Sequence, residues 1–158
     1  MTAFSLEPLT VADGDFRLEV FRATIKPYID DLFGWDEATQ TTMILDQLKG
    51  GTHAAIVSGG QRVGILQVEE SAEAISLNQI EVLPEFQGMG IGTAVVQSLM
   101  TRCDHEGKPL SLHVFRTNTS AQRLYERLGF VVSGQVDPGV EMTYTPPVPG
   151  RSRQPRHR

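Results

Sequence analysis

Ile80-Glu81-Val82-Leu83-Pro84-Glu85-Phe86-Gln87-Gly88-Met89-Gly90-Ile91-Gly92-Thr93 is the stretch that decides how this chain folds. A β-branched run enters a glycine-rich turn, and the turn opens a segment whose apolar residues Ile91, Val95 and Leu99 recur at helical spacing. The expected order is strand, turn, amphipathic helix. Glycines let the backbone turn with its N–H groups converging, and the start of a helix adds partial positive charge. Such a turn binds a diphosphate without any basic side chain.

The common phosphate loops do not match. A Walker loop needs Gly-Lys-Ser/Thr, which is absent. In a Gly-x-Gly-x-x-Gly frame the third glycine falls on Thr93 counting from Gly88, and on Val95 counting from Gly90. The turn also follows a meander of strands, which is the wrong place for a dinucleotide fold.

Reading upstream, Phe4 to Leu9 is a short strand, and Thr10, Val11 and Asp13 lead into a helical stretch through Phe21 and Ile25 that stops near Pro27. Asp36 reads as a cap for a helix ending at Gly50-Gly51. His53–Ser58 and Arg62–Glu69 flank Gly59-Gly60 as a hairpin, and Ala74–Leu83 is a third strand. Downstream, Leu110–Phe115 places Leu110, Leu112 and Val114 on one face and Ser111, His113 and Phe115 on the other. Asn118 caps a helix that Gly129 ends, and Phe130–Val136 and Val140–Thr145 close the sheet around Asp137-Pro138-Gly139. The fold class expected is α/β (α+β): a mixed, mostly antiparallel sheet of six to seven strands with about four helices.

Residues 1–145 read as one domain, with 146–158 a Pro/Arg-rich tail expected to be disordered. The tail holds four of the 14 basic residues and none of the 19 acidic ones, which leaves ten basic residues on a body near −9. An acidic body repels nucleic acid and favours cationic small molecules. Cys103 is the one cysteine, so neither a disulfide nor a zinc cluster forms within the chain; no metal is expected. No apolar run reaches the ~20 residues of a membrane span, and MTAFSLEPLT lacks a secretory pattern. Cytoplasmic residence is the expectation.

Val82-x-Pro84 followed by Gln87-x-x-Gly90-x-Gly92 closely resembles the acyl-CoA pyrophosphate loop of the GCN5-related N-acetyltransferase (GNAT) superfamily. A second block, Asn118-x-x-Ala121-x-x-Leu124-Tyr125-Glu126-Arg127-Leu128-Gly129-Phe130, resembles that superfamily's penultimate helix and following strand. The order of elements agrees from Phe4 to Thr145. The resemblance implies transfer of an acetyl group from acetyl-CoA to an amine of a small molecule or peptide by direct attack in a ternary complex. A catalytically silent acyl-CoA sensor is the alternative.

On this resemblance the backbone of Gln87, Gly88, Met89, Gly90, Ile91, Gly92 and Thr93 holds the pyrophosphate. The main chain of Val82-Leu83 pairs with the pantetheine arm, and Asn118 touches that arm where the neighbouring strand splays away. Tyr125 sits near the thioester sulfur; its phenol, with an ordinary pKa of about 10, is matched to a departing thiolate. An alkylamine must lose a proton before it attacks. His113 is the first candidate for that base, Glu81 the second, with a bulge expected near Val82, and water relay past Asn78 and Ser76 the third. Tyr28, Asp31, Phe33, Trp35 and Asp36, together with Asn78, would bind the acceptor. Homodimers through sheet edges or C-terminal strands are common among relatives.

Overall fold

The computed structural model describes residues 2–26 and 36–147. Their sheet has seven strands in the order β1-β2-β3-β4-β5-β7-β6. These are β1 (Ser5–Pro8), β2 (His53–Ser58), β3 (Gln61–Glu70), β4 (Ile75–Val82), β5 (Leu110–Phe115), β6 (Val131–Val136) and β7 (Gly139–Tyr144). Four α-helices are described: α1 (Gly14–Thr24), α2 (Glu37–Leu48), α3 (Ile91–Glu106) and α4 (Thr119–Leu128). Every strand pairing is antiparallel except β4 with β5. No helix among the described residues is long and apolar enough to cross a membrane.

The two faces of the sheet bury different sets of residues. Leu77, Leu112, Val114 and Met142 share one apolar cluster with Ile91, Val95 and Leu99 of α3 and Tyr125 of α4. Leu9, Ala55, Ile65 and Leu83 share another with Val20 of α1 and Leu48 of α2. A third cluster, Leu18, Phe21 and Ile44, joins α1 to α2. The molecule therefore has three layers, with each helix pair driven onto its face by burial worth ~1.5–3 kcal/mol per large aliphatic side chain.

Two irregularities in the sheet shape the site. β4 follows β3 for seven paired positions, and β5 follows β7 for six, but β4 and β5 pair only at Ile75–Leu77 with Leu110–Leu112. Beyond Leu77 and Leu112 the two strands diverge. The second irregularity is a bulge: Gln67 faces Gln79 while Val68 faces Leu77, which leaves Asn78 as the extra residue. The bulge thus lies at Asn78, four residues before the position near Val82 expected from the sequence. It reverses the alternation, so Ile80 and Val82 pack with the cluster that holds Leu77, and Gln79 and Glu81 turn to the α1 layer.

The glycine turns follow the sequence pattern. Gly59 and Gly60 both have positive φ (59° and 78°), the backbone of a tight hairpin turn. Gly129, at φ 109°, ends α4 and lets the Phe130 N–H return to the Tyr125 carbonyl at 2.9 Å.

Candidate active site

The divergence of β4 from β5 opens a slot of about 210 Å³. Its walls are Leu77 to Glu81 on β4 and Leu112 to Phe115 on β5. Ile25 bounds it from the α1 layer, and Asn118, Ala121 and Tyr125 bound it from the α4 layer. Because both layers contribute, the slot crosses the sheet. Over this length neither strand has a β-partner across the gap, so an extended ligand can pair with the open strand edge.

On the α3/α4 side lies a second concavity of about 400 Å³, lined by Val82, Phe86, Gln87, Gly88, Gly90, Ile91, Gly92, Thr93 and Leu124. Gly88 and Gly90 have φ of 78° and 82°, which L side chains rarely adopt. Gly90 directly precedes α3, and no side chain caps the first N–H groups of that helix. Those groups have no intrahelical acceptor and point outward. The Gln87 N–H returns to the Pro84 carbonyl, and the Gln87 side chain donates to the Val82 carbonyl at 2.9 Å, locking the turn to the end of β4. Met89 is exposed. A diphosphate matches the open amides and helix start of this cradle, at whose edge the Thr2 hydroxyl donates to the Met89 carbonyl at 2.9 Å.

Tyr125 is 9% exposed and lines the slot, with its ring edge-on to Phe130 at 5.6 Å. Burial raises its phenol pKa, which keeps the hydroxyl protonated and able to donate. Asn118 caps α4 through Oδ1, which accepts from the Ala121 N–H at 3.2 Å. Asn118 also lines the slot. His113 is exposed on the slot wall, and its Nε2 lies 2.8 Å from the Val136 carbonyl. A carbonyl only accepts, so Nε2 is the ring nitrogen that donates here.

Glu81 lines the slot but is not a free carboxylate. It is 4% exposed, and Arg17 of α1 donates from Nη1 to Glu81 Oε2 at 3.0 Å. Arg17 also donates from Nη2 to Gln79 Oε1 at 2.7 Å, and the His53 Nε2 lies 3.3 Å from the same oxygen. Burial raises the Glu81 pKa, against the pull of the Arg17 charge, and burial lowers that of Arg17. Burial and then the Arg17 charge lower the His53 pKa, so that ring stays neutral. Glu81 Oε1, Arg17 Nε and His53 Nδ1 are buried without a hydrogen-bond partner among the described residues.

The structure thus brings Tyr125, His113, Glu81, Asn118 and Asn78 to one slot, and Val82 with the Gly turn to the adjoining cradle. Leu83 lies elsewhere: its N–H donates to the Val63 carbonyl, its carbonyl accepts from Phe86, and its side chain is buried in the α1/α2 cluster. Asp36 caps α2, accepting from the Thr39 hydroxyl at 2.7 Å, and these hydrogen bonds hold its carboxyl low. Tyr28, Asp31, Phe33 and Trp35 lie outside the described residues. Sequence reasoning missed Arg17 and Gln79. The signal for Arg17 was available, since it falls three and four residues before Val20 and Phe21 on the apolar stripe of α1.

The family model for "Acetyltransferase (GNAT) family" matches residues 18–130. The chain belongs to the GNAT family. The "5-NmdU N-acetyltransferase" of Pseudomonas phage PaMx11 is 34% identical over 89 residues, covering 55% of this chain and 61% of that protein. The "Mycothiol acetyltransferase" of Sanguibacter keddieii is 27% identical over 125 residues, covering 79% of this chain and 39% of that protein. The matches thus span less than two thirds of either relative. Among solved structures, the PaiA N-acetyltransferase of Thermoplasma acidophilum, in complex with coenzyme A, superposes with a TM-score of 0.70 at 16% identity, covering 90% of this chain and 99% of that one. The seven-stranded sheet and its four described helices are thus a GNAT fold.

Proposed function

We propose that this GNAT protein transfers an acetyl group from acetyl-CoA to a primary amine of a small molecule or peptide. The observation that carries the reading is a slot through the sheet that begins beside an open-amide cradle and ends among titratable side chains. The pyrophosphate lies on the amides of Gly88 to Thr93, and the pantetheine arm runs along the open edge of β4 past Asn118. Bound there, the cosubstrate supplies a thioester carbonyl as electrophile.

The roles of the side chains follow from their protonation. The acceptor enters from the α1 side, because the α3/α4 side is taken by the cosubstrate. His113 Nδ1 receives one proton from the amine as nitrogen bonds to the carbonyl carbon and the carbon–sulfur bond breaks. Tyr125 gives its phenolic proton to the departing sulfur and regains one from solvent. General acid and base contributions of this kind are worth ~10²–10⁴-fold each. The presence of Tyr125 on the slot wall favours an active enzyme over a silent sensor.

The test is release of free coenzyme A from acetyl-CoA across a panel of amines. Wild type should release thiol in an amine-dependent manner. Tyr125→Phe should lower kcat about a hundredfold while binding coenzyme A as tightly as wild type. Equal losses in turnover and in coenzyme A affinity would reduce Tyr125 to a packing residue.

A further inference from the structure

The α1 side of the slot carries a buried array that the transfer step does not use. Gln79 and Glu81 sit two apart on one face of β4, held by Arg17 from α1 and by His53 from β2. The free polar atoms of the array are specific. Glu81 Oε1 is buried without a partner among the described residues, and Glu81 lines the slot. The Gln79 oxygen is occupied by Arg17 and His53, which leaves the NH₂ group as the donor of a side chain that lines the slot. A buried carboxylate oxygen without a donor is costly, and an arriving N–H group relieves that cost.

The charges around this oxygen cancel. Arg17 neutralises Glu81 at 3.0 Å, and His53 is held uncharged by burial and by Arg17. Glu69 of β3 acts on His53 from outside the array, and His113 stands on the β5 wall. An ammonium entering here would bring a second positive charge close to the buried Arg17 guanidinium. A neutral amine brings only donors.

From this we infer that Glu81 and Gln79 form the acceptor receptor, and that the acceptor is an α-aminoacyl group: a peptide N-terminus or an amino-acid amide. Glu81 Oε1 accepts an N–H of the neutral α-amine, and the Gln79 NH₂ donates to the adjacent carbonyl oxygen. Arg17 is a positioning residue that fixes both side chains and cancels the carboxylate charge. The class agrees with amine chemistry. An α-amine with a pKa near 8 is about a quarter neutral at pH 7.5, whereas an alkylamine near 10.4 is about 0.1% neutral.

This inference rests on the proposed activity, and the experiment separates the two. Alaninamide and n-butylamine are titrated calorimetrically into the coenzyme A-saturated protein, wild type and Glu81→Gln, beside a thiol-release assay with acetyl-CoA. Wild type should bind alaninamide at least tenfold more tightly than butylamine when affinity is counted on the neutral amine. Glu81→Gln should weaken alaninamide about tenfold and leave coenzyme A affinity unchanged. Equal affinity of wild type for the two amines overturns the inference without any variant, so a Glu81→Gln protein that fails to fold does not shield it. Unchanged alaninamide binding in a folded Glu81→Gln protein overturns it as well. Discrimination without thiol release sinks the activity and keeps the receptor; thiol release without discrimination does the reverse.

Discussion

His53 is 2% exposed, and its pKa is lowered by burial first and by Arg17 second. The unfolded chain therefore binds a proton near the ordinary histidine value of about 6.5 that the folded chain resists. Stability is complete above that value and falls as pH drops through it toward the lower folded pKa. Denaturant unfolding at pH 7.5 and pH 5.5 should show wild type losing stability on acidification, and His53→Gln losing less. Parallel losses in the two proteins would mean that His53 does not carry the effect. The same buried array marks where reading the sequence stopped. Tyr125, His113 and Asn118 could be placed on the slot wall because local spacing sets them on one strand and one helix, while their roles rest on the family resemblance. Arg17 and Glu81 are 64 positions apart, and no local pattern joins them. The carboxylate was therefore read as a free base, whereas in the folded chain it is clamped.

At the scale of elements, the seven strands and four described helices follow the sequence pattern to within a residue or two. Their limits are set by local chemistry: glycines at turns, Asn118 and Asp36 at caps, and periodicity in between. The bulge at Asn78 was legible only as an expectation and was misplaced, because it depends on how Gln67 and Val68 register against β4. Close approaches between strands were equally hidden. A Cβ built on Gly139 would lie 1.9 Å from the Val114 carbonyl oxygen and 2.9 Å from His113 Cε1. Neither backbone yields cheaply, so Gly139→Ala should push β7 away from β5. The expected cost is about 3 kcal/mol, a fall in Tm of roughly 10 °C for a domain of this size. Thermal unfolding measures it, and a drop under 2 °C would show that the strands accommodate the methyl group. The same substitution would displace His113, which the Val136 carbonyl holds across the hairpin.

At the scale of the molecule, function comes from a fault in the sheet. β4 is bound to β3, β5 is bound to β7, and three residue pairs hold the halves together before they part. A continuous sheet would leave no passage between the helical layers. In the function proposed above, the passage lets one substrate lie on the α3/α4 side while the other waits on the α1 side, so that the reacting atoms meet in the gap. The proposed binding on the first side depends on backbone amides at the start of α3, and amides report directly. The decisive measurement is a coenzyme A titration of ¹⁵N-labelled protein followed by amide NMR. The largest shifts should fall on Gly88 to Thr93, with further shifts at Asn118 and along Asn78 to Glu81, and neither ATP nor NAD should reproduce the full pattern. Saturation with coenzyme A that leaves the amides of Gly88 to Thr93 unmoved would contradict the cradle and every role assigned beyond it.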